Sequence, residues 1–471
     1  MNTPTQENPL LSEEPMKVAE SFFEASSEAG HLYVEWRGEL WVWEDGLWRV
    51  ENWKWLEDQV WRWLEDAYVQ KHTQKKGTWN TAVVRFVPDK ASIQNIVRAF
   101  SARISLQDSR EMPMWLDEEG ERLNPEKVIA FRDTLVDAET GVMSPRDAMW
   151  FDNGVLSVRY SPNARCERWL RCVEEWGGGD KQWALLLQRM MGYSLLPWRG
   201  LQRGFLWHGK TRGGKTTIFR VLQRLMGKTA VLGVNFRSLC GDFGLDGVQH
   251  ARVLGVTEVE SLDRGRGAAA AAIWKNIVGG DPLPVNRKFV RQEQNVICKA
   301  VPIMLSNQVP EMHNTGRGVS DKLVILPFEH SYLGREQFDL DEELASELPG
   351  IAVWALKGAM SLLREPNPKD KWPVVAGAED RVRQYLLTNN PFDAFLEEFF
   401  VPEAGNFVRN EYVRECWERW CREANIKSSI HHSMLAPKLV NESSWDLKKG
   451  RSGPDRDRGI FGLGIRRART G

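Results

Sequence analysis

Apolar and polar residues alternate along "HLYVEWRGELWVWEDGLWRV", residues 31–50, and the alternation breaks twice, at Arg37-Gly38 and Asp45-Gly46. A period of two marks strands with one buried face, and both dipeptides carry tight-turn chemistry, so a small antiparallel meander is expected. The period then lengthens. Leu56, Val60, Trp63, Leu64 and Ala67 recur on one helical face behind Asn52, and Ile96, Val97 and Phe100 do so behind Ser92. Each polar residue is read as the cap of its helix. Residues 30–160 are therefore expected to form one mixed α/β domain. Before them, residues 1–29 mix Ser, Glu and Pro around one apolar patch at Phe22 and Phe23, and a flexible tail is expected.

Residues 161–200 carry helical spacing in "SPNARCERWLRCVEEW" and "KQWALLLQRMMGYSLL", which reads as a helical collar. Residues 201–365 alternate short apolar strands with helices, the signature of a mainly parallel sheet with helices on both faces. "LREPNPKDKWPVVAG", rich in Pro and charge, then reads as a linker. In residues 366–471, "DRVRQYLLTNNPFDAFLEEFF" and "RNEYVRECWERWCREA" are helical, and "SSWDLKK" and "GIFGLGIRR" read as two strands around a basic loop. That is the order of a winged helix, with Lys448, Lys449 and Arg451 as its DNA-facing cations. A solvated basic tail is the competing reading of the same charges.

The stretch "GFLWHGKTRGGKTTIFRVLQRLMG" carries the most specific chemistry. Gly209, Gly214, Lys215 and Thr216 fit GxxxxGK[ST], with an apolar strand before them and an amphipathic helix after. Glycines at these positions let backbone amides wrap phosphates, and the helix N-terminus adds its dipole. The cradle is therefore assigned to Gly209, Lys210, Thr211, Arg212, Gly213, Gly214, Lys215, Thr216 and Thr217. ATP and Mg²⁺ are the expected cofactors, with Lys215 on the β- and γ-phosphates and the Thr216 hydroxyl on the metal. A metal-bound triphosphate also calls for acid at the end of a neighbouring buried strand. "ARVLGVTEVES" supplies Glu258 and Glu260, with Glu258 favoured for metal or water activation because it leaves the strand first. A third strand, "AVPIMLSNQVP", ends at Asn307, whose amide is a candidate γ-phosphate sensor, although an Asn there also simply forms turns.

Composition narrows the class. A chain of 471 residues suggests two to four domains. With 63 Lys and Arg against 64 Asp and Glu, the net charge of -1 leaves no global footprint for nucleic acid, so any such contact must be local. The six cysteines repeat no paired spacing and read as reduced thiols, and the 22 tryptophans mostly fall in packing patterns. No apolar run is long enough to span a bilayer and "MNTPTQENPLLSEEP" is acidic and polar, so a soluble cytoplasmic protein without a membrane partner is expected.

Taken together, these segments resemble the superfamily 3 helicases, specifically the helicase half of phage and plasmid primase-helicases and the virulence-associated proteins of mobile elements. The resemblance covers about residues 30 to 470 and rests on order and spacing. It is carried by "FRDTLVDAETGVMSP" and "YSPNARCERWLRCVEEW", then "VGGDPLPVNRKF", "PIMLSNQVPEM", "LPFEHSYLGRE" and "ELPGIAVWALKGAMSLL". It implies an AAA+ P-loop ATPase core between an N-terminal helicase-associated α/β domain and a C-terminal winged helix. It further implies a homo-hexameric ring that hydrolyses ATP between subunits and moves on single-stranded or forked DNA, typically 3′ to 5′, with a separate primase or polymerase as a possible partner. By the same likeness Glu258 and Glu260 are Walker B acids, Asn307 the sensor, and Arg287, Lys288 and Phe289 the tip of a DNA-contacting hairpin; an ordinary surface hairpin is the alternative.

Two departures qualify the resemblance. Where the family has an arginine reaching the neighbour's γ-phosphate before "VILPF", this chain has Lys322, which lacks the planar fork, with Arg317 five residues earlier. Both are carried as joint candidates for that finger. The first 190 residues contain no acidic pair at the end of a buried strand, so priming chemistry is not expected. Cys416, Cys421, His431 and His432 invite a zinc reading, but Cys416 and Cys421 share a helical face with Trp417 and Trp420, which favours buried thiols. The rival functions are an ATP-switched DNA-binding initiator without processive unwinding and, more remotely, a P-loop small-molecule kinase.

Overall fold

The computed structural model describes residues 1–75, 78–117, 121–227, 229–241, 244–257, 264–286, 293–310, 312, 317–423, 430–453 and 456–466. The chain divides into two compact units, one of Met1–Asp137 with Val142–Tyr160 and one of Ala138–Gly141 with Ser161–Gly471.

In the first unit the meander is present. Strands Leu32–Trp36, Glu39–Glu44 and Leu47–Glu51 pair antiparallel, and Trp36 faces Glu39 as Glu44 faces Leu47. The two-residue turns have positive φ at both positions, 53° and 79° at Arg37-Gly38 and 51° and 71° at Asp45-Gly46. That backbone suits the right-handed twist of the flanking strands. Asn52 caps helix Trp53–Leu64 by accepting from the Lys54 amide. The next cap is not Ser92 but Asp89, which starts helix Lys90–Ile104 and accepts from the Ser92 amide at 2.7 Å. A carboxylate is the better acceptor for amides at the positive end of a helix.

Residues 1–29 are not all a loose tail. Pro15–Glu28 is a helix, opened by Pro15 at a position whose amide needs no partner. Val18, Ala19, Phe22 and Ser26 form its buried stripe, and the Phe22 ring meets Trp63 and Phe100 edge-on at 5.3 Å each. Full burial of such a ring is worth about 2–3 kcal/mol, enough to order a short amphipathic segment.

The second unit is an α/β protein built on a five-stranded parallel sheet. Its strands are β1 (Gly204–Gly209), β2 (Val231–Asn235), β3 (Val253–Thr257), β4 (Val301–Ser306) and β5 (Leu323–Phe328). They lie in the order β2-β3-β4-β1-β5. The central strands β1 and β4 are buried at every position, as strands covered on both faces must be, whereas edge strand β2 alternates. Between β3 and β4 the chain makes helix Arg264–Gly279 and an antiparallel hairpin with arms Pro282–Val285 and Glu293–Ile297. Leu283, Val285 and Val296 bury the arms in the sheet's core.

The proline-rich segment after helix Leu348–Arg364 is anchored. The Trp372 ring packs edge-on against Tyr193 and Phe205 at 5.7 and 5.3 Å. The buried Arg189 guanidinium donates to the carbonyls of Asp370 and Lys371 at 2.6 and 3.0 Å. The segment turns at 368–371, with the Asp370 amide donating to the Asn367 carbonyl at 3.1 Å, and a buried cation straps it down.

Beyond it come helices Ala378–Asn389 and Pro391–Phe399, strand Phe400–Arg409, helices Asn410–Glu423 and His432–Glu442, and strands Lys448–Ser452 and Asp457–Ile465. The last strand sits in the middle of its antiparallel sheet, flanked by the other two. Cys416, Cys421, Trp417 and Trp420 are buried with Phe392 and Phe395 in one cluster. The exposed His431 caps its helix by accepting from the Ser433 amide. Among the described residues no group of three metal-ligating side chains is assembled, and no helix is long and apolar enough to cross a membrane.

Candidate nucleotide-binding site

The GxxxxGKT loop leaves the sheet at Gly209, where φ is 145° and a Cβ would lie 2.1 Å from the Phe328 carbonyl oxygen. That neighbour is backbone of β5 and cannot yield, so only glycine passes between the strands. Gly214, with φ of 99°, precedes helix Lys215–Met226, and a Cβ there would sit 2.6 Å from the Trp176 indole nitrogen. The tight loop aims the helix's first, intrahelically unpaired amides at one point, which is the anion-binding arrangement of a helix N-terminus. A cradle that side chains would fill, opened by two glycines, fits a polyphosphate.

Lys215 lies under this cradle. Its Nζ donates to the carbonyls of Gly209 and Lys210 at 2.9 and 2.8 Å, and 5.6 Å away is the centroid of the Phe328 ring. Loss of water on burial pushes its pKa down to about 8. Thr216, Thr217 and Asn307 line the same cavity, of about 830 Å³. Asn307 follows β4, which lies between β3 and β1, so all three strands deliver their C-terminal ends to one edge. Glu258 and Glu260 follow β3 directly but lie outside the described residues, as do Arg287, Lys288, Phe289 and the side chain of Arg317.

Several lining residues have no counterpart in the motif reading: Trp176, Arg220, Tyr332, Arg335, Phe338 and Asp341. Most belong to the segment after β5, which leaves the sheet beside β1. The Ser331 hydroxyl donates to the Thr211 carbonyl at 2.8 Å and the Tyr332 amide to that of Arg212 at 3.1 Å. On the far side, Arg220 of the loop's helix pairs with Asp341 at 2.8 Å.

The residue before Gly209 links the loop to the C-terminal helices. His208 Nδ1 accepts from Arg381 Nε at 3.0 Å, and Arg381 pairs with Glu329 at 2.6 Å. Burial first, then the positive charges of Arg381 and Lys215, push the His208 pKa down to about 4, so the ring is neutral with its proton on Nε2.

Lys322 does not line this cavity. It immediately precedes β5, and its carbonyl accepts from the amide of Gly204, the first residue of β1, at 3.0 Å. Gly209 is five residues further along β1, about 17 Å at strand rise. The three C-terminal cations also part company. Lys448 faces a cavity with Glu403 and Phe461, whereas Lys449 and Arg451 face another with Arg414 and Arg458. Successive strand residues point to opposite sides, so Lys448 cannot join the other two on one surface.

A family model described as "Family of unknown function (DUF5906)" matches residues 207–318, from the end of β1 to the segment before β5. No curated protein matches the sequence. Two solved structures are similar to the chain: "The apo structure of NrS-1 C terminal region (305-718)" and "The A form apo structure of NrS-1 C terminal region-CTR". Each has a TM-score of 0.54 and 10% identity, over 96% of this chain and 100% of that one. At such identity the likeness is one of fold. The five-stranded parallel sheet with its glycine-rich loop is consistent with a P-loop ATPase core.

Proposed function

We propose that the chain is an ATP-dependent DNA helicase of superfamily 3, acting as a homo-hexameric ring in the replication of a phage, plasmid or integrated element. The observation that carries the reading is the strand order β2-β3-β4-β1-β5, with the glycine-rich loop leaving β1 and a hairpin inserted between β3 and β4. A strand order that sets β4 beside β1 brings a polar strand end, Asn307, to the phosphate cradle. The segment joining the hairpin's arms contains Arg287, Lys288 and Phe289, which this reading assigns to DNA, the cations to phosphates and the ring to a base or sugar.

Lys215, the amides of 213–217 and the Thr216 hydroxyl would hold Mg²⁺-ATP, and this reading assigns Glu258 and Glu260 as the acids for the metal and the attacking water. Bound there, the metal neutralises charge on the phosphate oxygens. The chain's own task is positioning: the cradle fixes the phosphates, and Asn307 orients what approaches them. The C-terminal segment has the helix and sheet order of a winged helix, with its middle strand last in sequence, which supports a DNA-binding role.

ATPase measured with and without single-stranded DNA, together with strand displacement on 3′- and 5′-tailed duplexes, tests the proposal. DNA-stimulated turnover with displacement of the 3′-tailed substrate is expected. DNA-independent turnover without displacement leaves the ATP-switched initiator, the reading that the lysine in place of a finger arginine favours. In the C-terminal segment, Lys449→Ala with Arg451→Ala is expected to weaken duplex binding more than Lys448→Ala does. It should also lower the slope of log affinity against log salt by about two, one per lost phosphate contact. Fluorescence anisotropy over a salt series measures both.

A further inference from the structure

We infer that the outer half of the nucleotide cavity is a nucleobase clamp, in which Tyr332 and Phe338 take the base of the nucleoside triphosphate whose phosphates the loop cradles. The inference rests on the phosphate-cradle reading above and extends it to the part of the ligand that the motif does not address.

The cavity is too large and too aromatic for phosphates alone. At about 830 Å³ it is the size of a pocket for a whole nucleotide, and its inner end is polar, with Thr216 and Asn307. Three rings, Trp176, Tyr332 and Phe338, line it as well. Trp176 seats against Gly214 and closes one side, which is why no Cβ fits there. Tyr332 is held by its own amide on the Arg212 carbonyl and by Ser331 on Thr211, so its backbone is sewn to the loop. The Arg335 guanidinium lies 5.8 Å from the centroid of the Tyr332 ring and donates to the Ser331 carbonyl, which fixes that ring's setting.

Phe338 is the anomaly. It lines this cavity yet is 94% exposed, a full benzyl group left in water. The side chain of its neighbour Gln337 accepts from Arg168, and Arg168 is tied to Glu343 at 2.6 Å. An uncovered ring lining a phosphate-binding cavity gains its cover when a flat apolar surface enters. A nucleobase has that shape and is tethered at the right end. Rings read a base by its face and not its edge, so the clamp accepts any nucleobase and favours purines by area.

Calorimetric titration of the full-length protein with ATP, CTP and inorganic tripolyphosphate, each with Mg²⁺, tests the clamp. Phe338→Ala should weaken ATP binding by roughly tenfold, the scale of one lost base–ring stack, and leave tripolyphosphate binding unchanged. Phe338→Tyr should retain ATP affinity, and the preference for ATP over CTP should shrink in Phe338→Ala. Equal losses for ATP and tripolyphosphate in Phe338→Ala overturn the clamp and leave the cradle. Unchanged ATP affinity in both Phe338→Ala and Tyr332→Ala does the same. A wild-type protein that binds neither ATP nor tripolyphosphate overturns the cradle itself, and the clamp with it.

Discussion

Lys215→Ala is expected to lower ATP turnover by at least about a hundredfold, the scale on which removing one preorganised charge from a buried site acts. The Nζ of Lys215 rests on two loop carbonyls directly beneath the cradle, out of bulk water, so its charge is screened little by solvent. The same burial has a pH signature. With its pKa pushed down to about 8, the lysine of the nucleotide-free chain loses its proton at mildly alkaline pH. Polyphosphate favours the charged form, so binding draws a proton back, and ATP affinity should fall by about tenfold per pH unit above 8. Titrations between pH 7 and 9.5 should show that slope in the wild type and none in Lys215→Ala. The sign for stability is opposite. Between about 8 and the ordinary lysine pKa of 10.5 the unfolded chain binds more protons than the folded one, so this group makes the fold more stable as pH rises.

Local chemistry was legible in the sequence wherever the backbone itself demanded it. The GxxxxGKT loop needs Gly209 and Gly214 for reasons of φ and close approach, and the hairpin turns need Arg37-Gly38 and Asp45-Gly46. What failed were contests between neighbours: Asp89 outcompetes Ser92 for a cap, and a stripe of Val18, Ala19 and Phe22 outweighs the polar residues around it. The segregation of Lys448 from Lys449 was there to be read, since the strand assignment already implied a period of two. The aromatic wall was not. Trp176 and Tyr332 lie 156 residues apart in sequence and line one cavity because β5 pairs with β1 and the chain folds back over the loop. No local pattern tells which strands become neighbours.

The other large effect is expected at the opposite edge of the sheet. Lys322 stands immediately before β5, the length of β1 away from its own loop, so a direct part in ATP turnover would require it to complete the site of an adjacent subunit. If it does, Lys322→Ala should lower turnover on the order of a thousandfold, as loss of a trans-acting cation does in other P-loop enzymes. Lys322→Arg should keep or raise it, because the planar fork meets phosphate oxygens in pairs. The decisive measurement mixes two inactive proteins, Lys215→Ala and Lys322→Ala, in equal amounts. In a head-to-tail ring, one interface in about four then joins an intact loop to an intact Lys322, so about a quarter of wild-type turnover should return. Recovery cannot arise if Lys322 merely supports the fold of its own subunit, because each mutant chain would carry its defect into every mixture. Full activity in Lys322→Ala with loss in Arg317→Ala would move the role to Arg317. If both variants keep wild-type turnover, the chain has no cationic finger at this edge.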